Sequence, residues 1–188
     1  MSAIRESIRT KPKLWLTTAA VVVLLACGLV LLGSGAKPES LLAFGYPGVF
    51  LLMFLSGGAT IFPVPGPPAI VAAGAILNPL GVGLAAGLGN ATGELVSYSL
   101  GTAAAATLEN YRDARLVATL RCLFARYGFW LVLAIAAVPN PIFHLISLLA
   151  GSNGYPVRRF WLATALGNVV KYTAFAYLGQ GALRALFG

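Results

Sequence analysis

Pro63-Val64-Pro65-Gly66-Pro67-Pro68 sits inside an uncharged run that extends over residues 40–93. Proline within a helix removes a backbone hydrogen bond, and its ring clashes with the preceding turn. This cluster therefore ends one helix and starts another. From Pro67 to Asn78 the chain reaches only about 18 Å as a helix, against a hydrocarbon core of about 30 Å. Residues 46–78 thus read as a re-entrant hairpin that enters and leaves a membrane on one side. A pair of full spans joined by a proline turn returns to the same side and stays open as an alternative.

The pattern recurs downstream. Residues 129–138 and 142–151 are apolar halves of about 15 Å each, separated by Pro139-Asn140-Pro141. Aligning the two breaks exposes an internal repeat. Pro63-Val64-Pro65, Ala73-Gly74, Leu88-Gly89-Asn90 and Leu100-Gly101 are matched in order by Pro139-Asn140-Pro141, Ala150-Gly151, Leu166-Gly167-Asn168 and Leu178-Gly179. The offsets are 76, 77, 78 and 78 residues. Any one such match arises by chance in this composition, whereas four in order at nearly constant offset do not.

Of the 188 residues, 59% are hydrophobic and 10% charged, where a soluble domain carries about 25% charged residues. That excludes a soluble enzyme, a coiled coil and a disordered tail, and leaves a polytopic membrane protein. The net charge of +8 does not imply nucleic acid, because of where the charges lie. Arg5, Arg9, Lys11 and Lys13 precede the first apolar run. Arg112, Arg115, Arg121 and Arg126 fill the polar middle, and Arg158 and Arg159 open the last run. All can face the cytoplasm, as the positive-inside rule requires.

The expected topology follows. Residues 1–40 supply a cytoplasmic basic terminus and a first span at 14–32, which is longer than the roughly 7–15 apolar residues of a signal peptide. A cleavable signal ending near Gly33-Ser34-Gly35-Ala36 is the alternative. A second unit at 41–180 holds the hairpin at 46–78, an inward span at 79–106, a surface helix at 107–127, the hairpin at 129–151 and an outward span at 158–179. Leu108, Tyr111, Val117, Leu120, Phe124 and Tyr127 give the surface helix an apolar stripe among arginines. One crossing between the copies makes the repeat inverted, an architecture suited to alternating access. The fold class expected is therefore all-α and membrane-embedded, with three spans and two opposed hairpins.

These residues resemble a family. The broken hairpin with Pro-x-Pro-Gly, the Ala-Gly pair, then Gly89, Gly93, Glu94, Tyr98 and Gly101 at fixed spacing, then a second Pro-centred hairpin and an aromatic-rich last span resemble the DedA family, also called the VTT or SNARE-associated Golgi protein family, over roughly residues 44–180. The resemblance implies lipid transport. Bacterial members are implicated in returning undecaprenyl phosphate or phospholipid across the membrane, and autophagy-linked eukaryotic members scramble phospholipids. Where many bacterial members carry an acid after the first turn, this chain has Pro67. Where they carry arginines around the second turn, it has Ala136 and Ile142. Val138-Pro139-Asn140-Pro141 resembles the Leu-Pro-Asn turn of the scramblase branch, which implies passive equilibration with weak headgroup selectivity. A proton-coupled flippase is the alternative, and a non-transporting assembly or scaffold protein is the alternative from another class.

The expected substrate route comprises Pro65, Gly66, Pro67, Asn90, Glu94, Pro139, Asn140, Pro141, His144, Asn168 and Lys171. Gly66-Pro67 and Asn140-Pro141 read as openings of half-helices, Asn140 as an N-cap, whose free N–H groups suit a phosphate. Glu94 and Lys171 lie deepest in the expected spans. A lone charge there costs at least ~2.5–3.5 kcal/mol, so they are expected to pair, either functionally or as a structural lock. Asn90 and Asn168 serve as interhelical glue or as substrate contacts. His144 is a headgroup ligand, a titrating group or a packing residue. One histidine and two separated cysteines, Cys27 and Cys122, offer no metal cluster or disulfide framework. No catalytic constellation, cofactor or nucleic-acid partner is expected. The partners expected are membrane phospholipids or a polyprenyl phosphate, with a homo-oligomer open, and the location a prokaryotic plasma membrane.

Overall fold

The computed structural model describes residues 44–58, 66–107, 114–140 and 143–187. The expected first span, Pro65 and Pro141 lie outside the described residues. These form six helices: α1 Tyr46–Gly58, α2 Gly66–Ile76, α3 Pro79–Thr107, α4 Ala114–Ala137, α5 Phe143–Ser152 and α6 Val157–Phe187.

Local chemistry sets several boundaries. α2 opens on Gly66 with Pro67 in its first turn, where a missing N–H is tolerated. Asn78 caps α3 by accepting the Leu80 N–H at 3.0 Å, and Pro79 follows it. α5 ends where Tyr155 N–H donates to the Ala150 carbonyl at 3.0 Å and Gly154 adopts a left-handed φ of 68°.

Two expected boundaries are corrected. The surface helix and the first half of the second hairpin are one continuous helix, α4, with no break near 127–129. Glycine costs a helix about 1 kcal/mol without stopping it, and at Gly128 a Cβ would meet the Tyr155 ring. The last helix also runs past residue 179 to Phe187. Gly179 is required there because a Cβ would strike the Val71 carbonyl, so it marks a contact and not a terminus.

α3 and α6 form the central pair and run antiparallel. Gly83 packs on Thr173 and Gly87 on Val169, while Trp161 Nε1 donates to Thr92 Oγ1 at 3.3 Å. At their crossing Asn168 Nδ2 donates to Asn90 Oδ1 at 2.9 Å. α1 lies alongside α3 in the same direction, with Gly81 on Tyr46, Gly89 on Phe50 and Gly93 on Phe54. α4 packs on α6 through Gly167 against Leu133 and Ala136.

The short helices cross over between copies. Gly74 of α2 meets the Ala176 backbone of α6, and Gly151 of α5 meets the Tyr98 backbone of α3. Likewise Gly179 meets the Val71 carbonyl and Gly101 the Leu148 carbonyl. Displacing each residue by the repeat offset of 77 or 78 turns one contact of each pair into the other. Asn90 and Asn168, 78 residues apart, map onto each other.

Two apolar clusters flank this pair. One joins Val49, Met53, Ile70, Ala73, Val82, Ala86, Tyr172 and Ala176. The other joins Phe124, Val132, Ala136, Phe143, Ala150, Tyr155, Phe160 and Ala163. Between them runs a buried polar seam of Asn90, Glu94, Ser97, Ser147, Thr164 and Asn168. The seam has a consequence for the expected spans: among the described residues no helix is long and apolar enough to cross a membrane. α3 and α6 have the length, about 44 and 46 Å, but Asn90, Glu94, Asn168 and Lys171 interrupt their hydropathy.

Candidate functional site

The openings of the two broken hairpins converge on one cavity of about 280 Å³, lined by Pro67, Pro139, Asn140, Lys171, Tyr172 and Phe175. Pro67 comes from the first turn of α2. Pro139 and Asn140 come from the link between α4 and α5. Lys171, Tyr172 and Phe175 come from one side of α6. The cavity therefore lies between the start of α2 and the link that joins α4 to α5.

Lys171 is the cation of this cavity. Its ammonium lies 4.7 Å from the Tyr172 ring centre and 6.0 Å from that of Phe143, close enough for a cation–π attraction. The expected ion pair with Glu94 is not formed. Glu94 is 2% exposed; its Oε2 accepts from Ser147 Oγ at 2.7 Å, and its Oε1 lies 3.0 Å from His144 Nδ1. The reason is geometric. Glu94 lies four residues beyond Asn90 and Lys171 three beyond Asn168, and on antiparallel helices these steps lead in opposite directions. Seven residues of helix separate the two by about 10 Å along the axis.

Glu94, His144 and Ser147 contain the ingredients of a nucleophilic triad but not its order. Ser147 and the imidazole both end on the same carboxylate, so the imidazole does not stand between hydroxyl and carboxylate as it does in a triad. The Phe143 carbonyl, 3.1 Å from Ser147 Oγ, is the alternative acceptor for the same single hydroxyl proton.

Asn140 differs from its expected role. Its Nδ2 donates backwards to the carbonyls of Ile135 at 2.7 Å and Val138 at 2.8 Å, while Oδ1 has no partner among the described residues. It closes the end of α4 instead of capping α5, because the last carbonyls of a helix need donors as much as the first N–H groups need acceptors. Gly66 is buried, where a Cβ would meet Ser56 Oγ and Met53 Sδ. Asn90 and Asn168 lie in the seam, bonded to each other, with Asn90 Nδ2 also reaching the Met53 carbonyl at 3.5 Å. Pro65 and Pro141, expected on the route, fall outside the described residues.

Ser147, Tyr172 and Phe175 are additions that sequence reasoning missed. Ser147 had a signal: it follows His144 by three residues, which places both on one helical face.

Similarity to known proteins agrees with this geometry. The VTT domain matches residues 64–181. The vacuole membrane protein KMS1 of Arabidopsis thaliana is 31% identical over 103 residues, covering 45% of this chain and 25% of that protein. The chain thus spans a quarter of that relative's length. No solved structure matches. With paired broken hairpins and a domain match over most of its length, the chain belongs to the VTT-domain, or DedA/SNARE-associated, family of membrane proteins.

Proposed function

We propose that this protein moves phosphate-bearing lipids between membrane leaflets as a scramblase, with no covalent chemistry. Its α1–α2 and α4–α5 pairs act as opposed re-entrant hairpins, and α3 and α6 cross the bilayer together. Their individual hydropathy is low because the polar seam faces inward, as intramembrane ionisable groups do. The outer faces supply lipid contact: Leu80, Leu84 and Leu88 on α3, and Leu162, Leu166 and Val170 on α6, are all exposed.

The observation that carries the reading is the cavity lined by both hairpins and holding Lys171. A lipid headgroup needs a polar route, while its tails can stay in the bilayer. An ammonium in a cavity lined by both hairpins suits a phosphate. Irregular backbone persists in a membrane where it is buried or lines a cavity, which favours transport over a scaffold role.

Purified protein in liposomes with fluorescent phospholipids is expected to speed leaflet exchange at neutral pH without an imposed gradient. Lys171→Ala is expected to slow an acidic lipid about threefold more than a zwitterionic one, since it removes one charge from a partly screened site. Exchange no faster than in protein-free liposomes, with folding confirmed by circular dichroism, would reject the proposal. Exchange only under a proton gradient would favour a coupled flippase.

A further inference from the structure

Lys171 is the charged residue that lines the cavity, and the ionisable groups on the helices packed around it set the charge behind it. α3 contributes Glu94, and Tyr98, whose hydroxyl is engaged with the Tyr155 carbonyl at 2.6 Å. α6 contributes Lys171 and Tyr172. α4 has no ionisable side chain from Gly128 to Ala137, and α2 has none along its length. α5 contributes His144. With a neutral imidazole, the carboxylate and the ammonium cancel. With an imidazolium, the group carries one net positive charge.

His144 is placed to make that difference count. It belongs to the first turn of α5, next to Phe143, whose ring centre lies 6.0 Å from the Lys171 ammonium, and its Nδ1 lies 3.0 Å from Glu94 Oε1. Its side chain is 34% exposed while its partner Glu94 is 3% exposed. The imidazole can therefore exchange protons, while the carboxylate stays in place as its counter-ion. Histidine is the side chain whose charge ordinarily changes between pH 5 and 8. It is also the chain's single histidine, and its repeat equivalent on α2 is Pro67, which cannot titrate.

We infer that His144 sets the charge of the headgroup the cavity accepts: an anionic phosphodiester head when the imidazole is protonated, and a zwitterionic head when it is neutral. This rests on reading the cavity as the headgroup route. A group with no net charge leaves an entering anion uncompensated in a low-dielectric setting, whereas one net positive charge neutralises it. A zwitterion brings its own counter-charge and has no such need. The selectivity arises from binding at equilibrium, so it requires no transmembrane proton gradient.

The test measures exchange of fluorescent phosphatidylglycerol and phosphatidylcholine by the full chain in liposomes, with the same pH on both sides. Neither headgroup changes its charge between pH 5.5 and 8. The glycerol-to-choline rate ratio is expected to rise about tenfold from pH 8 to pH 5.5. His144→Gln is expected to hold the ratio at its pH 8 value, and His144→Lys to hold it at its pH 5.5 value. Should one variant fail to fold, the other decides. A wild-type ratio that ignores pH, or a pH response that survives either substitution, overturns the inference and leaves lipid exchange standing. Wild-type liposomes that exchange neither lipid overturn the transport reading and this inference with it.

Discussion

Around α5, Glu94 accepts from Ser147 and pairs with His144. Around α2, the residues at the same repeat positions are Tyr172, Ile70 and Pro67. Tyr172 and Ile70 are buried together in an apolar cluster, and Pro67 lines the cavity. The contacts of Gly74 with Ala176 and of Gly179 with Val71 nevertheless have counterparts in Gly151 with Tyr98 and Gly101 with Leu148. Close backbone approach thus belongs to the shared scaffold, and the buried carboxylate with its imidazole partner belongs to one half. Duplicated geometry does not require duplicated function.

The strongest challenge to this contrast targets the polar half. His144→Leu strands the Glu94 carboxylate, and is expected to cost about 3 kcal/mol, the low end for breaking a buried pair because the imidazole is partly exposed. Adding Glu94→Leu makes this half resemble the apolar one and is expected to recover most of that loss. Denaturant unfolding in detergent measures both. Strictly additive losses would show that the pair does not interact.

A second comparison sets the two scaffolds against each other. Gly74→Val and Gly151→Val each drive a side chain into facing backbone, and each is expected to cost about 2 kcal/mol through overpacking. Melting temperatures of the two variants should fall by similar amounts. A large fall in only one would mean that the halves are not equivalent in packing.

The smallest effect concerns the shared centre. Asn168→Leu leaves the buried Asn90 Oδ1 without its donor, at an expected cost of about 1 kcal/mol. Asn90→Leu together with Asn168→Leu should cost no more than the single change. A double variant much worse than either would assign the asparagines a role beyond pairing with each other.

The proline breaks and the repeat were legible because they depend on residue type and order. Backbone restriction at Pro67 or Pro139 holds whatever packs nearby. The pairing of Asn90 with Asn168 follows from the repeat itself, since equivalent residues on a two-fold crossing meet. Glu94 with Lys171 was misread, because equal distance from the repeat marks is not equal depth when the helices run oppositely. The boundaries expected at 127–129, around Gly128, and at Gly179 were misread for a different reason. A glycine spelled in sequence looks the same whether it ends a helix or lets a neighbour approach, and only the Tyr155 ring and the Val71 carbonyl distinguish the cases. The role of Asn140 depended on which neighbouring backbone groups lacked partners, and the sequence does not display that.

The crossed contacts also constrain the order in which the molecule can be built. Gly74 packs on Ala176, and Val71 on Gly179, so α2 meets part of its surface only after roughly 100 further residues have been synthesised, a span that makes folding slow. Until then the first hairpin has a neighbour in α3 but no finished seat. Nascent chains ending before α6 should accordingly hold α2 in a state that proteases and chaperones can reach. Completion of the last helix would then close both halves in one step.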